Sequence, residues 1–249
     1  MARAVNFETK ARLGWRFTNV SENEGVIDLF DVIGEDWWGD GVSAKDFIQE
    51  LRDLGPVSKI TLNINSPGGY VDEGLAMYDA ILTHPAEVTA HIISASSAAS
   101  FVAMGADHRE ITRNGKVFIH DAQGVGMGDA TTMRQLADIL DEESNNIASI
   151  YAERAGGTTA EWRGRMQAGN YGTTYRGQEA VDIGLVDEVA ATPTRDVIPG
   201  RIAAQEQPVA EPAVDLPIDL IPPLANGYTP PLPDDFTRLL AANLPRKEG

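Results

Sequence analysis

The 249 residues carry 20 Lys and Arg against 37 Asp and Glu, a formal net charge of −17, with 43% hydrophobic residues and no cysteine. That length and apolarity suffice to bury a full core, and the missing thiols exclude disulfides, zinc–thiolate sites and cysteine catalysis. The acidic balance disfavours nucleic acid and anionic membrane as partners. No apolar run approaches the ~18 residues of a bilayer span, and the first residues contain no apolar signal core, so a cytosolic-type soluble protein is expected.

In chain order, residues 26–33 (VIDLFDVI) read as a strand, and Ser43 caps a helix that stops at Gly55 with Pro56 behind it. Residues 59–64 (KITLNI) form a strand, 72–82 a helix, 87–93 (EVTAHII) a strand and 97–105 a helix. A short strand at 116–119 (KVFI) precedes a long helix over 130–154, a shorter one over 159–167 and a last helix at 177–184 before LVDEV. Strand–helix–strand repetition predicts parallel βαβ units. Beyond residue 190 the composition changes, and eleven of the fourteen prolines lie at or after Pro193. The expected organisation is therefore one α/β domain over 1–190 and a Pro-rich, extended or disordered tail over 191–249, with one short helix at 234–244.

Three stretches carry candidate chemistry. In NINSPGGYVDEG (63–74) the adjacent Gly68 and Gly69 open a helix, which suits either an oxyanion receptor or a plain tight turn. In SASSAASFVAMG (94–105) the small side chains fit close helix–sheet packing, and a serine at such a strand-to-helix junction also fits a nucleophile. His120 directly follows the strand VFI, the setting of a general base or of a structural histidine. His84 lies in a loop, His91 inside an apolar strand and His108 in the charged turn DHRE.

Taken together, NSPGG, the serine segment, IH closing a strand and EAVDIGLVDEV resemble the proteolytic subunit of Clp protease over about residues 12–190. The likeness is greatest to the phage-type relatives used as head maturation (prohead) proteases, whose start WWGDGVSAKDFIQEL also resembles. Gly69 stands 28 residues before Ser97, and Ser97 stands 23 before His120. This spacing selects Ser97 over Ser100, which then packs beneath it.

The resemblance implies a crotonase/ClpP-like spiral of βαβ units and a serine endopeptidase without cofactor or metal. Ser97 would be the nucleophile and His120 the base. The amides of Gly69 and Ala98 would form the oxyanion hole, and Gly68, Tyr70 and Val71 the edge for an added substrate strand. It further implies a homo-oligomer of stacked rings contacting through the long helix, a capsid or scaffold protein as substrate, and the host cytoplasm or procapsid interior as location. The alternatives are a Clp-type peptidase served by a separate unfoldase, since no Walker motif occurs in this chain, and a non-catalytic interaction module on the same fold. One departure stands out. Gly172 falls where the family carries the acid that orients the histidine, which leaves Asn170 or Thr173 as expected orienters.

Overall fold

The computed structural model describes residues 10–12, 15–19, 21, 23–35, 41–169 and 171–191. The expected tail beyond Ala191, its helix at 234–244, Asn170 and most of the WWGDG run lie outside the described residues.

Chain order runs β1 (Lys10–Arg12), β2 (Trp15–Asn19), β3 (Glu24–Leu29), β4 (Gly34–Glu35), β5 (Gly41–Val42) and α1 (Ala44–Asp53). It continues through β6 (Lys59–Ser66), α2 (Val71–Leu82), β7 (Glu87–Ser96), α3 (Ala98–Val102) and β8 (His108–Ile119). α4 (Ala130–Ala155), α5 (Thr159–Gln167), β9 (Thr173–Arg176), α6 (Gln178–Asp182) and β10 (Glu188–Val189) follow. The main sheet has the order β1-β2-β3-β6-β7-β8-β10, with β9 also paired to β8.

β3, β6, β7 and β8 are parallel neighbours, as the βαβ pattern predicts, and β10 extends them in the same sense. β1, β2 and β9 add antiparallel pairings that the pattern does not announce. Period-two alternation buries Ile60, Leu62 and Ile64 of β6 and Val88, Ala90 and Ile92 of β7 on one face. The other face stays polar and half-exposed, with Asn63 donating to Asp28 at 2.7 Å and His91 2.6 Å from Glu110.

α1 covers the apolar face because Phe47 and Leu51, four residues apart, fall on one side of it. Each contributes about 1.5–3 kcal/mol by burial. Its start is held by Ser43, whose Oγ accepts the Asp46 N–H at 3.2 Å. α2 buries Met77, Tyr78 and Ile81, and α3 is buried at every position.

Four expectations need correction. The helix read over 97–105 is only α3 followed by a 3₁₀ turn at Ala103–Gly105. The last helix shortens to α6, and only Glu188–Val189 of LVDEV is strand. The charged DHRE turn is in fact the start of the twelve-residue β8, so His108 lies in a strand. There Arg109 points inward, 6% exposed, and its Nη2 pairs with Asp187 Oδ1 at 2.9 Å. A charged residue at an inward position hides the strand's alternation from a hydropathy reading.

Candidate active site

β6, β7 and β8 end side by side, with Ser66 in register with Ala95 and Ser96 with Phe118. The three chemistry-bearing stretches therefore leave the sheet together, at the carboxyl ends of parallel strands where open α/β sheets bind ligands.

The first stretch is tied down by Ser66, whose Oγ donates to the Asp31 carbonyl at 2.6 Å and accepts the Gly68 N–H at 3.1 Å. Gly68 has φ +92°, and a Cβ there would lie 2.6 Å from the Cβ of Ser97 and 2.5 Å from the Ser96 carbonyl oxygen. Only glycine lets this loop lie against the serine turn. Ile33 takes up one edge of the loop, donating to the Gly68 carbonyl and accepting from Tyr70 N–H, both at 2.9 Å. In such a bridge the intervening residue faces the opposite way, so the amide and carbonyl of Gly69 are turned from Ile33. Of the expected substrate edge, Gly68 and Tyr70 are already engaged with Ile33, which leaves the amide and carbonyl of Gly69 turned to the other side of the loop.

Ser97 is the sole non-glycine residue with positive φ among the described residues, at φ 54° and ψ −126°. Such a conformation costs about 1–3 kcal/mol and persists only where neighbours over-determine it. Here its N–H donates to the Phe118 carbonyl at 2.9 Å, while its carbonyl accepts both the N–H and the hydroxyl of Ser100. The sharp turn between β7 and α3 presents Oγ at the strand end, the geometry of a nucleophile elbow. Ser100 is fully buried, and its Oγ lies 2.6 Å from the Tyr151 hydroxyl. Burial pushes the Tyr151 phenol well above its ordinary pKa, only partly offset by that hydrogen bond. Ala98 is the first residue of α3, so its N–H has no intrahelical acceptor.

His120 Nε2 stands 2.8 Å from Ser97 Oγ. Its Nδ1 stands 2.6 Å from the main-chain carbonyl oxygen of Asp121. A carbonyl only accepts, so Nδ1 carries the proton and Nε2 presents its lone pair to the serine hydroxyl. The imidazole also stacks on Phe118, with centroids 5.1 Å apart and planes inclined by 26°.

Among the described residues, no side chain takes the place of the family's acid beside His120. Gly172 has φ +126°, and a Cβ there would lie 2.4 Å from the Ile119 carbonyl oxygen and 2.6 Å from His120 Cβ. The hydroxyl of Thr173 donates to the Arg165 carbonyl at 2.7 Å, away from the imidazole. The Asp121 carbonyl escapes a sequence reading because main-chain acceptors carry no residue signature. Its side chain turns to α5, where Oδ2 accepts from Arg163 Nη2 at 3.1 Å and from Gln167 Nε2 at 2.9 Å. The four-residue spacing of Arg163 and Gln167 sets both on one helix face, the one signal that could have marked them.

Beside the serine lies a cavity of about 330 Å³ walled by Val71, Phe101, Phe118, Ile147 and Tyr151, with Ser97, His120 and Gly69 at its edge. His120, Asp121 and Gln123 add polar groups to these walls, so the cavity offers an apolar side with a polar rim.

A family model described as Clp protease matches residues 40–193. The ATP-dependent Clp protease proteolytic subunit 2 of Bifidobacterium longum is 30% identical over 141 residues, 55% of this chain and 67% of that protein. The ATP-dependent Clp protease proteolytic subunit of Chlorella vulgaris is 32% identical over 130 residues, 51% of this chain and 63% of that protein. The matched stretch thus spans about two thirds of the length of each relative.

Proposed function

The chain belongs to the Clp protease family, and on that premise we propose that it is a serine-type endopeptidase working through an acyl-enzyme. The observation that carries this reading is the 2.8 Å contact between Ser97 Oγ and a His120 Nε2 whose lone pair is free to accept. Ser97 Oγ attacks the peptide carbonyl while His120 Nε2 takes its proton. The tetrahedral oxyanion is held by the amides of Gly69 and Ala98, each such donor being worth about 10²–10³ in rate. His120 then gives the proton to the leaving amine, the C–N bond breaks, and water repeats the sequence to release the acid. The cavity beside Ser97 receives the residue preceding the cut bond, and substrate adds as a strand against the carbonyl of Gly69, whose amide faces the oxyanion.

A fluorophosphonate probe tests the chemistry. It labels the wild type at Ser97, and Ser97→Ala loses labelling and about 10⁴–10⁶ of peptidase turnover. Wild type that is folded, assembled and unlabelled would instead support a non-catalytic module.

The natural substrate in this reading is a capsid or scaffold protein, as the likeness of the early segment to phage head maturation enzymes suggests. Co-expression with neighbouring capsid genes yields cleavage products that Ser97→Ala abolishes. A second reading, delivery of substrate by a separate ATP-driven unfoldase, is favoured by the description of both relatives as ATP-dependent subunits. Stimulation of peptidase activity by an added unfoldase distinguishes it. In either case the working form is a homo-oligomer of stacked rings.

A further inference from the structure

We propose that Asp121 is the positioning residue that replaces the missing acid: its carbonyl sets the tautomer of His120, and its carboxylate anchors that carbonyl to α5. The inference rests on the serine peptidase reading above.

The anchoring is specific. Asp121 Oδ2 receives Arg163 Nη2 and Gln167 Nε2, and the same guanidinium reaches back to α4. There Nη1 donates to Asn145 Oδ1 at 2.7 Å and to the Asp141 carbonyl at 3.1 Å, and Nη2 donates to Asp141 Oδ1 at 3.0 Å. The Arg163 side chain is only 12% exposed and Asp121 is 29% exposed, so their pair is a largely sheltered bracket, while the contact with the Asp141 carboxylate lies at the surface. The residue that Arg163 grips is the one whose carbonyl stands 2.6 Å from His120 Nδ1. The next residue, Ala122, is held as well, its N–H donating to Ser144 Oγ of α4 at 2.9 Å. The chain just after His120 is therefore tied to α4 and α5 at two consecutive residues. At position 172 a Cβ would collide with the Ile119 carbonyl oxygen and with His120 Cβ, so that position cannot supply a carboxylate instead.

A carbonyl does for the neutral imidazole what a triad acid does: it holds the proton on Nδ1 and keeps Nε2 aimed at the serine. It carries no full charge, so it stabilises the imidazolium less than a carboxylate would.

The test uses the full-length assembled protein, with thermal melting to confirm that each variant folds. Asp121→Ala and Arg163→Ala each lower kcat by about 10–100-fold with KM within about threefold, since a small misaim of the base costs rate rather than binding. Asp121→Asn, which keeps an acceptor for Arg163, recovers to within about fivefold of wild type. The double variant is no slower than the worse single one, because both changes break one bracket. In ¹⁵N spectra, His120 moves from the Nδ1-protonated form towards the Nε2-protonated form in Asp121→Ala and stays in Asp121→Asn. Overturning results are an Asp121→Ala enzyme within threefold of wild-type kcat, additive single effects, or equal losses in the Asn and Ala variants. If wild type itself fails to take the fluorophosphonate, it is the peptidase reading that falls.

Discussion

At the scale of single residues, position 172 decides what can stand beside His120. A carboxylate there would need a Cβ 2.4 Å from the Ile119 carbonyl oxygen and a backbone at φ +126°, a combination only glycine tolerates. Restoring the family's acid by Gly172→Asp therefore does not build a triad. It pushes β8 and β9 apart where His120 leaves the strand, lowering stability by about 1–3 kcal/mol and lowering peptidase turnover with it. Gly172→Ala, which adds the Cβ without the charge, reproduces most of both losses. Thermal melts and initial rates on a chromogenic peptide measure the two, and a faster Gly172→Asp enzyme would reject the argument. That Ser97 and His120 meet was legible in the sequence, because each sits at a strand end at a spacing that one family uses. The partner of Nδ1 was not, because it is a peptide carbonyl.

At the scale of elements, the strands that the sequence does not announce are short ones of two to five residues (β1, β2, β4, β5 and β9) and, in β8, a stretch whose inward side carries a charge. β8 shows what such a charge does. Arg109 Nε and Nη2 donate to the two oxygens of Asp187 at 3.2 and 2.9 Å, and the Arg109 N–H donates to Oδ2 at 2.7 Å. This joins β8 to the segment entering β10. Burial pushes the Asp187 carboxyl up, but the hydrogen bonds and charge of Arg109 outweigh it and hold the pKa below the ordinary value. A carboxyl depressed in the folded state contributes stability that is fully present above its unfolded pKa of about 3.9. That contribution is lost as pH falls through the lower, folded value. Asp187→Asn is accordingly less stable than wild type at pH 7, by about 1–3 kcal/mol given the partial exposure of Asp187. The gap narrows as pH falls below about 3.9 and closes only below the lower, folded value, where the wild-type carboxyl is protonated too. Urea unfolding at both pH values reads the difference, and a gap independent of pH would show that charge pairing is not its source.

At the scale of the whole molecule, α4 divides into two halves that its sequence does not distinguish. Its length, about 39 Å at 1.5 Å per residue, is legible from periodicity, and its start from Asp129, whose Oδ1 accepts the Thr131 and Thr132 N–H groups. Periodicity cannot say whether an apolar position is covered by the same chain or by another. Ile147, Ala148, Ile150 and Tyr151 are buried in the domain, whereas Ile139 is 55% exposed and nearby Val125 and Met127 are 100% and 72% exposed. Gly124 and Gly126 lie against Leu140 and Leu136, so the 123–128 segment runs beside the exposed half of α4 and shares its apolar surface. In the proposed ring assembly this projection is where copies meet, and each copy brings a charge of −17. Association should strengthen with salt, as the Debye length falls from about 30 Å at 0.01 M to about 8 Å at 0.15 M. Ile139→Asp adds a charge to the buried seam and shifts the protein to smaller species at every salt concentration, without moving the melting of the dissociated subunit. Light scattering coupled to gel filtration measures both effects. An Ile139→Asp protein with unchanged mass would place the contact between copies elsewhere on the surface.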